Sequence, residues 1–454
     1  MILVRNLVVI AILFNALHAK EVFTEENIMM YLNLNNPFIY SAVGDKYIYK
    51  ERENYQHGNF DTKLSAKYDK KDYPLSDAEY ISAGVSKPIE NGMEFSLDYR
   101  RSEGTQEYSN IKTGDDGELL LGVKIPVLSV MNNINKRKLD LDSARLDTRK
   151  VEFITEDNLR LLYFKIVSSY YKLLHHKQSN TLVLELLNNA KKRVSIIKKR
   201  VDAGSLPELS FLEAQQQIIN RQQRLLNTQN RYKNALETFL QYLNISPEVF
   251  DEKYSLPSLS QVQSHYKEKE VSIDKALENR PDIKAFSTEI KKLTLENKFT
   301  SISQYPDVDV GVYGVHDFEY ENGFKITLGM NFPLERRKYT SKSLEIKKSI
   351  QNIQKKREQK TLKIKRDLKV LHNSINTLVK NIDNSTREVS LVERLEQAEV
   401  KKYKVGLSNL FMVNQREIYT LQIKKKLLQY TLDYLLLEQE LDKVSGTGMK
   451  TLPQ

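Results

Sequence analysis

Hydrophobic and polar residues follow two different periods along this chain, and each period occurs twice. Short segments in which apolar and polar residues strictly alternate predict β-strands with one apolar face. Each group of such segments leads into about 70 residues with the period of a helix and with no Gly or Pro inside. These helical stretches cover residues 130–201 and 338–405 and stop just before Gly204 and Gly406. The pattern therefore predicts an internal repeat of strands followed by a very long helix.

The alternating segments suit strands that separate lipid from water. About nine residues of alternation are enough for a tilted membrane strand, although a soluble sandwich strand has the same pattern in isolation. Four to six such strands are too few to close a barrel within one chain, so we expect several copies to complete it as a cyclic homo-oligomer. The predicted lipid-facing residues are Phe60, Leu64, Tyr68, Phe324, Ile326 and Leu328.

The helical stretches balance in length. Each long helix is matched by a return helix of about half its length, residues 208–243 or 410–444, and by a second half-length segment, residues 272–303 or 24–55. Two stacked halves then equal one long helix in a coiled-coil wall. The first half is 37 residues longer than the second between equivalent prolines, which predicts an extra hairpin at about 77–113 that turns near Gly92.

These patterns predict a mainly α-helical chain with β-strands, divided into nine segments. In chain order they are a signal peptide (1–19), an N-terminal helical segment (20–56), a first strand region that contains the extra hairpin (57–127), a long helical hairpin with its tip near residue 204 (128–250), a connector (251–271), an ascending helix (272–304), a second strand pair (305–335), a second long helical hairpin with its tip near residue 406 (336–445) and a tail (446–454).

Composition adds the compartment. Arg5 precedes the apolar run Leu7–Phe14 and a small-residue cleavage pattern ending at Ala19, which predicts a secretion signal rather than a membrane anchor, because the run is too short to span. The chain has no cysteine, which excludes disulfides and a lipidated N-terminal cysteine. The net charge of +11 could indicate nucleic acid, but the basic stretch within 342–369 lacks interleaved aromatic residues and is better explained as a solvated helix face.

Enzymatic motifs are missing from the sequence. His175 and His176 are adjacent, so on a helix they point in different directions and cannot share a metal as an i, i+4 pair could. Phosphate-binding loops, dinucleotide fingerprints and nucleophile elbows are also missing. We therefore expect no cofactor, no metal and no catalysis, with the energy for any transport supplied by a partner.

Several short motifs resemble the TolC family of outer-membrane ducts over essentially the whole mature chain. They are the stretch 276–282 (Ala-Leu-Glu-Asn-Arg-Pro-Asp), the paired Leu-Gly-x-x-x-Pro strand ends at 121–126 and 328–333, the segment 203–206 and the segment 403–408. The resemblance implies a homotrimer in the outer membrane of a Gram-negative bacterium, with a twelve-stranded barrel continued by a helical tunnel through the periplasm. It also implies export, as multidrug efflux or type I protein secretion, of substrates from an inner-membrane pump of the RND, ABC or a similar class, through a periplasmic adaptor protein.

The same resemblance implies functional residues at the two helix turns. The candidates for adaptor docking are Val405, Gly406, Leu407 and Ser408, with Gly204, Ser205 and Leu206 at the equivalent turn; a simple helix cap is the alternative reading of both glycines. The aspartates that often form the gate in this family are absent after Gly406. Other polar residues would have to replace them, or they are solvated helix positions, and the candidates are Glu213, Asn414, Gln415 and Glu417.

Two rival functions are compatible with parts of the pattern. An exported structural coiled coil or adhesin would explain the long helices and the signal, but not the duplicated amphipathic strands. A periplasmic adaptor would have one helical hairpin between small β domains rather than two similar halves. Channel conductance distinguishes the duct from the adhesin, which forms no pore.

Overall fold

Helices and one six-stranded sheet make up most of the chain. The computed structural model describes residues 20–74, 76–104, 111–263 and 272–447. The helices are α1 (Glu25–Tyr31), α2 (Pro37–His57), α3 (Val127–Asn132), α4 (Lys136–Asp202), α5 (Glu208–Leu243), α6 (Pro247–Lys253), α7 (Leu259–Gln263), α8 (Ile273–Asn279), α9 (Pro281–Ile302), α10 (Arg337–Lys404) and α11 (Leu410–Ser445). The strands are β1 (Glu21–Val22), β2 (Lys63–Tyr73), β3 (Ser76–Pro88), β4 (Glu94–Gly104), β5 (Glu118–Pro126), β6 (Tyr254–Ser255), β7 (Asp307–Asp317) and β8 (Asn322–Asn331).

Two of the helices are several times longer than an ordinary globular helix. α4 has 67 residues and α10 has 68, and each is followed by a helix of 36 residues, α5 or α11. α2 and α9 both begin at a proline, Pro37 and Pro281, whose fixed φ suits the first helical position. None of the helices in the described ranges is both apolar enough and long enough to cross a membrane.

The first long helix is interrupted near its start, which corrects the prediction of one helix from residue 130. α3 ends at Asn132 because Asn133 takes the left-handed conformation, with φ of +51°. α4 then restarts at Lys136, where the Asn135 side chain accepts a hydrogen bond from the Lys138 amide at 2.9 Å. Asparagine tolerates the left-handed region and caps helices well. This asparagine-rich segment therefore divides into α3 and α4 the helix that the apolar period predicted as one.

The sheet contains six antiparallel strands in the order β2-β3-β4-β5-β7-β8. The predicted extra hairpin is β3–β4, and its turn contains Gly92 with φ of +102°. It lies between β2 and β5 in the plane of the sheet. Six strands of the described residues thus form this sheet, where a twelve-stranded trimer needs four from each copy.

Phe60 is not part of a strand, contrary to the prediction. α2 continues into a 3₁₀ turn, Gly58–Phe60, which is closed by a hydrogen bond from the Asp61 amide to the Gly58 carbonyl at 3.2 Å. This bond keeps the backbone helical through Phe60, and β2 begins only at Lys63.

The chain divides into two compact units. One comprises residues 44–156 and 281–360 and contains the six-stranded sheet; the other comprises the remaining segments. The core of the second unit is an aromatic cluster around Phe23, which is completely buried. Phe23 follows β1, which pairs in parallel with β6, and its carbonyl accepts a 2.7 Å hydrogen bond from Tyr170.

Some predicted segments lie outside the described residues. These are the signal peptide (1–19), residues 75 and 105–110 of the first strand region with its extra hairpin, part of the connector (264–271) and most of the tail (448–454).

Candidate functional site

The two helix turns have the same backbone geometry. Gly204 and Gly406 adopt left-handed φ values of +71° and +78°. At the first turn the Gly204 amide donates to the Val201 carbonyl and the Ser205 amide to that of Arg200, at 2.9 and 2.8 Å. At the second turn the Gly406 amide donates to the Tyr403 carbonyl and the Leu407 amide to that of Lys402, at 3.2 and 2.9 Å. Both turns are therefore Schellman caps. A Cβ at either position would meet open space, so it is the left-handed φ, and not crowding, that favours glycine there.

The candidate docking residues differ in exposure. Val405 and Leu407 are 71% and 78% exposed, which is unusual for apolar side chains at a helix end. Ser408 is half-buried and donates a hydrogen bond to the Glu399 carboxylate. Leu206 packs against a small core of Ile197, Ala214 and Leu410, whereas Ser205 is exposed. The second turn thus presents the more apolar surface, and the first turn is anchored by its leucine.

A buried ion cluster lies next to this small core. We call it the arginine–glutamate cluster: Arg193 on α4, Arg221 on α5, and Asn414 and Glu417 on α11. Arg221 and Glu417 are 2% and 3% exposed, and the Arg221 Nη2 lies 2.8 Å from the Glu417 Oε2. Arg193 also binds both carboxylate oxygens of Glu417. A single carboxylate therefore joins three helices.

Further hydrogen bonds complete the arginine–glutamate cluster. Arg221 donates to the Leu186 carbonyl at 3.0 Å and to the Asn414 Oδ1 at 3.1 Å. Burial lowers the pKa of Arg221, and the neighbouring Glu417 carboxylate opposes that effect. The two guanidinium groups carry one more positive charge than Glu417 neutralises, so the carboxylate is the component on which the cluster most depends.

The four gate candidates fall into two groups. Asn414 and Glu417 belong to the buried arginine–glutamate cluster, while Glu213 and Gln415 are exposed and lie outside it. Neither arginine was among the site residues predicted from the sequence. Ala214, Arg221 and Thr228 are buried positions of α5 that follow one another at intervals of seven residues. A charged residue in such a row of otherwise uncharged packing positions is the signal that could have revealed Arg221.

His175 is expected to make the stability of the second compact unit depend on pH. Burial, with the nearby His176 and Lys425, lowers the pKa of His175 from 6.5 to about 4. The unfolded chain binds this proton at a higher pH than the folded chain, so stability is full above pH 6.5 and falls as the pH drops towards 4. After allowance for the partial exposure of His175, we expect the free energy of unfolding to fall by about 1–2 kcal/mol over this pH range. Thermal unfolding between pH 7 and 4 measures this slope, which His175→Gln should flatten; an equally steep profile in the variant would contradict the assignment.

The six-stranded sheet has one apolar and one polar face. Leu64, Tyr68, Phe324, Ile326 and Leu328 are all on the apolar face and are 63–80% exposed in the single chain. The opposite face carries ion pairs such as Lys124–Asp309, at 2.9 Å. Exposed apolar side chains over several neighbouring strands mark a surface that contacts lipid or another protein. The described residues include no group of three His, Asp or Glu side chains that could hold a metal ion.

Comparison with known proteins agrees with this architecture. Residues 94–244 match the sequence model of the outer membrane efflux protein family. The resemblance to the TolC family is confirmed. No curated protein sequence matches the chain.

Solved structures share the TolC-type fold over nearly the full chain. CusC, a transmembrane channel protein, aligns with a TM-score of 0.68 at 13% identity over 93% of this chain and 92% of its own. The outer-membrane channel OprN gives 0.69 at 13% identity, over 93% and 90%. The outer membrane protein VceC of Vibrio cholerae gives 0.68 at 13%, over 94% and 97%. Residues 94–244 thus match outer membrane efflux proteins in sequence, and the chain has the fold of outer-membrane channels.

Proposed function

We propose that three copies of this protein form a duct that receives substrates from an inner-membrane pump and releases them outside the cell. The two-faced sheet carries this proposal: its apolar face suits lipid and its polar face suits a water-filled lumen. In the part of the chain that the structure describes, the outer strands β2 and β8 each have one edge without a strand partner, and lipid cannot form the hydrogen bonds that such an edge needs. Further copies of the chain supply the missing partners.

Purification and reconstitution test the duct. We expect a trimer that needs detergent to stay in solution and that conducts ions in planar bilayers. On gels, the unheated sample should run at a different position from the heated, dissociated chain. A water-soluble monomer without conductance would refute the proposal and would favour an exported adhesin.

The turn at Gly406 is proposed as the contact for a periplasmic adaptor. Its exposed Val405 and Leu407 form an apolar surface that water alone would not favour, and the Schellman cap holds them in a fixed geometry. The turn at Gly204 is proposed as a secondary contact through Ser205, since Leu206 is committed to the small core.

Charge at Leu407 should therefore prevent export without preventing assembly. Leu407→Asp places a charged group in an apolar contact, and we expect export to fall at least tenfold, because burying an unpaired carboxylate costs several kcal/mol. Trimer amount in the membrane and substrate accumulation in cells are the measurements. Leu407→Met is the matched control, because it keeps an apolar side chain of similar volume. Normal export by Leu407→Asp would remove this docking assignment.

A further inference from the structure

The hairpin β3–β4 is built into the sheet rather than added beyond its end. β3 pairs with β2 from Lys63↔Ser86 to Tyr73↔Ser76, and with β4 over a ladder of the same length. β4 pairs in turn with β5. The insertion therefore widens the sheet by two strands, whereas an insertion that formed an external loop would have left β2 beside β5.

At the level of Val85 and Leu97, both faces of the sheet continue through this hairpin. One row of directly paired residues on the apolar face is Leu64, Val85, Leu97, Leu121, Gly314 and Phe324. The neighbouring row on the polar face is Lys63, Ser86, Ser96, Gly122, Tyr313 and Lys325. Val85 and Leu97 are 41% and 44% exposed, which water would disfavour if the hairpin stood outside the membrane.

The hairpin is also joined to its neighbours on the polar face. Arg100 on β4 forms an ion pair with Glu118 on β5, and the two side chains are only 16% and 9% exposed. Within the hairpin, Gly84 on β3 makes room for Asp98 on β4, because a Cβ at Gly84 would lie 1.9 Å from the Asp98 Oδ1. Gly122 on β5 makes room for Tyr313 in the same way, with 2.1 Å to its Cδ1. Glycine thus makes room for a facing side chain both within the hairpin and between β5 and β7.

We propose that the hairpin β3–β4 is part of the barrel wall, so that three copies close a barrel of eighteen strands. This inference rests on the proposed trimeric duct. Six strands with antiparallel neighbours place β2 and β8 in opposite directions, so β8 of one copy can pair in antiparallel fashion with β2 of the next copy. An even number of strands is what such closure requires.

The added strands change the width of the duct. With strands about 4.8 Å apart and tilted by about 40°, eighteen strands give a backbone diameter of ~36 Å, against ~24 Å for twelve. The cross-section is then more than doubled, in the size class of barrels that hold an open aqueous channel. Size selection of cargo falls to the helix turns, and bulky polypeptides fit the outer-membrane portion as well as small compounds do.

Single-cysteine labelling tests the position of the hairpin, because the chain has no cysteine of its own. In the assembled protein in liposomes, Val85→Cys and Leu97→Cys should react with a membrane-impermeant maleimide at least about tenfold more slowly than Ser86→Cys and Ser96→Cys. The first pair faces lipid and the second faces water. Native mass measurement of the same sample counts the copies.

The same labelling on β8 separates failure of this inference from failure of the duct itself. Ile326→Cys and Leu328→Cys should be protected, and Thr327→Cys should react. Alternation on β8 with uniform labelling of the hairpin would overturn the eighteen-stranded barrel and leave the duct intact. Alternation on both strands in a dimer would also overturn it, since two copies close twelve strands. Uniform labelling on β8 as well would refute the duct and the inference together.

Discussion

Glu417→Ala is expected to open the channel at its helix turns and to destabilise the unit that contains them. Glu417 is the one acidic member of the arginine–glutamate cluster, and its loss leaves the buried Arg221 and the partly buried Arg193 without neutralisation. Removing one partner from a buried ion pair costs about 3–5 kcal/mol. The repulsion between the guanidinium groups would then release α11 from α4 and α5.

Leakage and stability are measured together in this experiment. Cells that express Glu417→Ala should admit large antibiotics that the outer membrane normally excludes, and the purified protein should conduct more and unfold at a lower temperature. Gln415→Ala and Glu213→Ala are the matched controls, because both side chains are exposed and lie outside the cluster. If the controls leak and Glu417→Ala does not, the gate is a ring of exposed polar groups and the cluster is only structural.

Phe23→Ala is expected to destabilise the second unit by about 3–5 kcal/mol, the usual cost of removing a buried phenylalanine ring. Phe23 contacts four other rings, those of Tyr170, Phe239, Phe250 and Tyr254, at centroid distances of 4.9–5.7 Å. The cavity left by the ring cannot be filled easily by neighbours that are themselves fully packed.

Chemical denaturation of the detergent-solubilised protein gives the size of this effect. Val22→Ala is the matched control, because Val22 is adjacent in sequence but 51% exposed, and it should change the unfolding free energy by less than about 0.5 kcal/mol. Similar losses in both variants would show that the segment, rather than the ring, determines stability.

The sequence predicted those parts of the fold that depend on periodicity. The turns at Gly204 and Gly406, the limits of α5 and the presence of the hairpin β3–β4 follow from breaks in apolar patterns and from glycine positions. Two predictions were wrong: Phe60 as a strand residue, and one uninterrupted helix from residue 130. A single hydrogen bond and the conformation of Asn133 decide those boundaries, and neither changes the apolar pattern.

The arginine–glutamate cluster could be predicted only in part. Glu417 and Asn414 were found because they follow Gly406, but their partners are about 200 residues away in sequence and on other helices. Pairing of that kind depends on how helices pack, which a single sequence does not reveal. The number of strands in the barrel was similarly open, because the same insertion could have formed a loop.

The parallel pairing of β1 with β6 has a consequence for biogenesis. The first residues after the predicted cleavage site pack with residues 254–255, and Phe23 shares its core with Leu435 near the other end of the chain. Contacts of such long range cannot form until nearly all of the polypeptide is available for folding. Until then the aromatic side chains of the N-terminal segment stay exposed, so we expect folding in cells to need a chaperone that binds the unfolded chain.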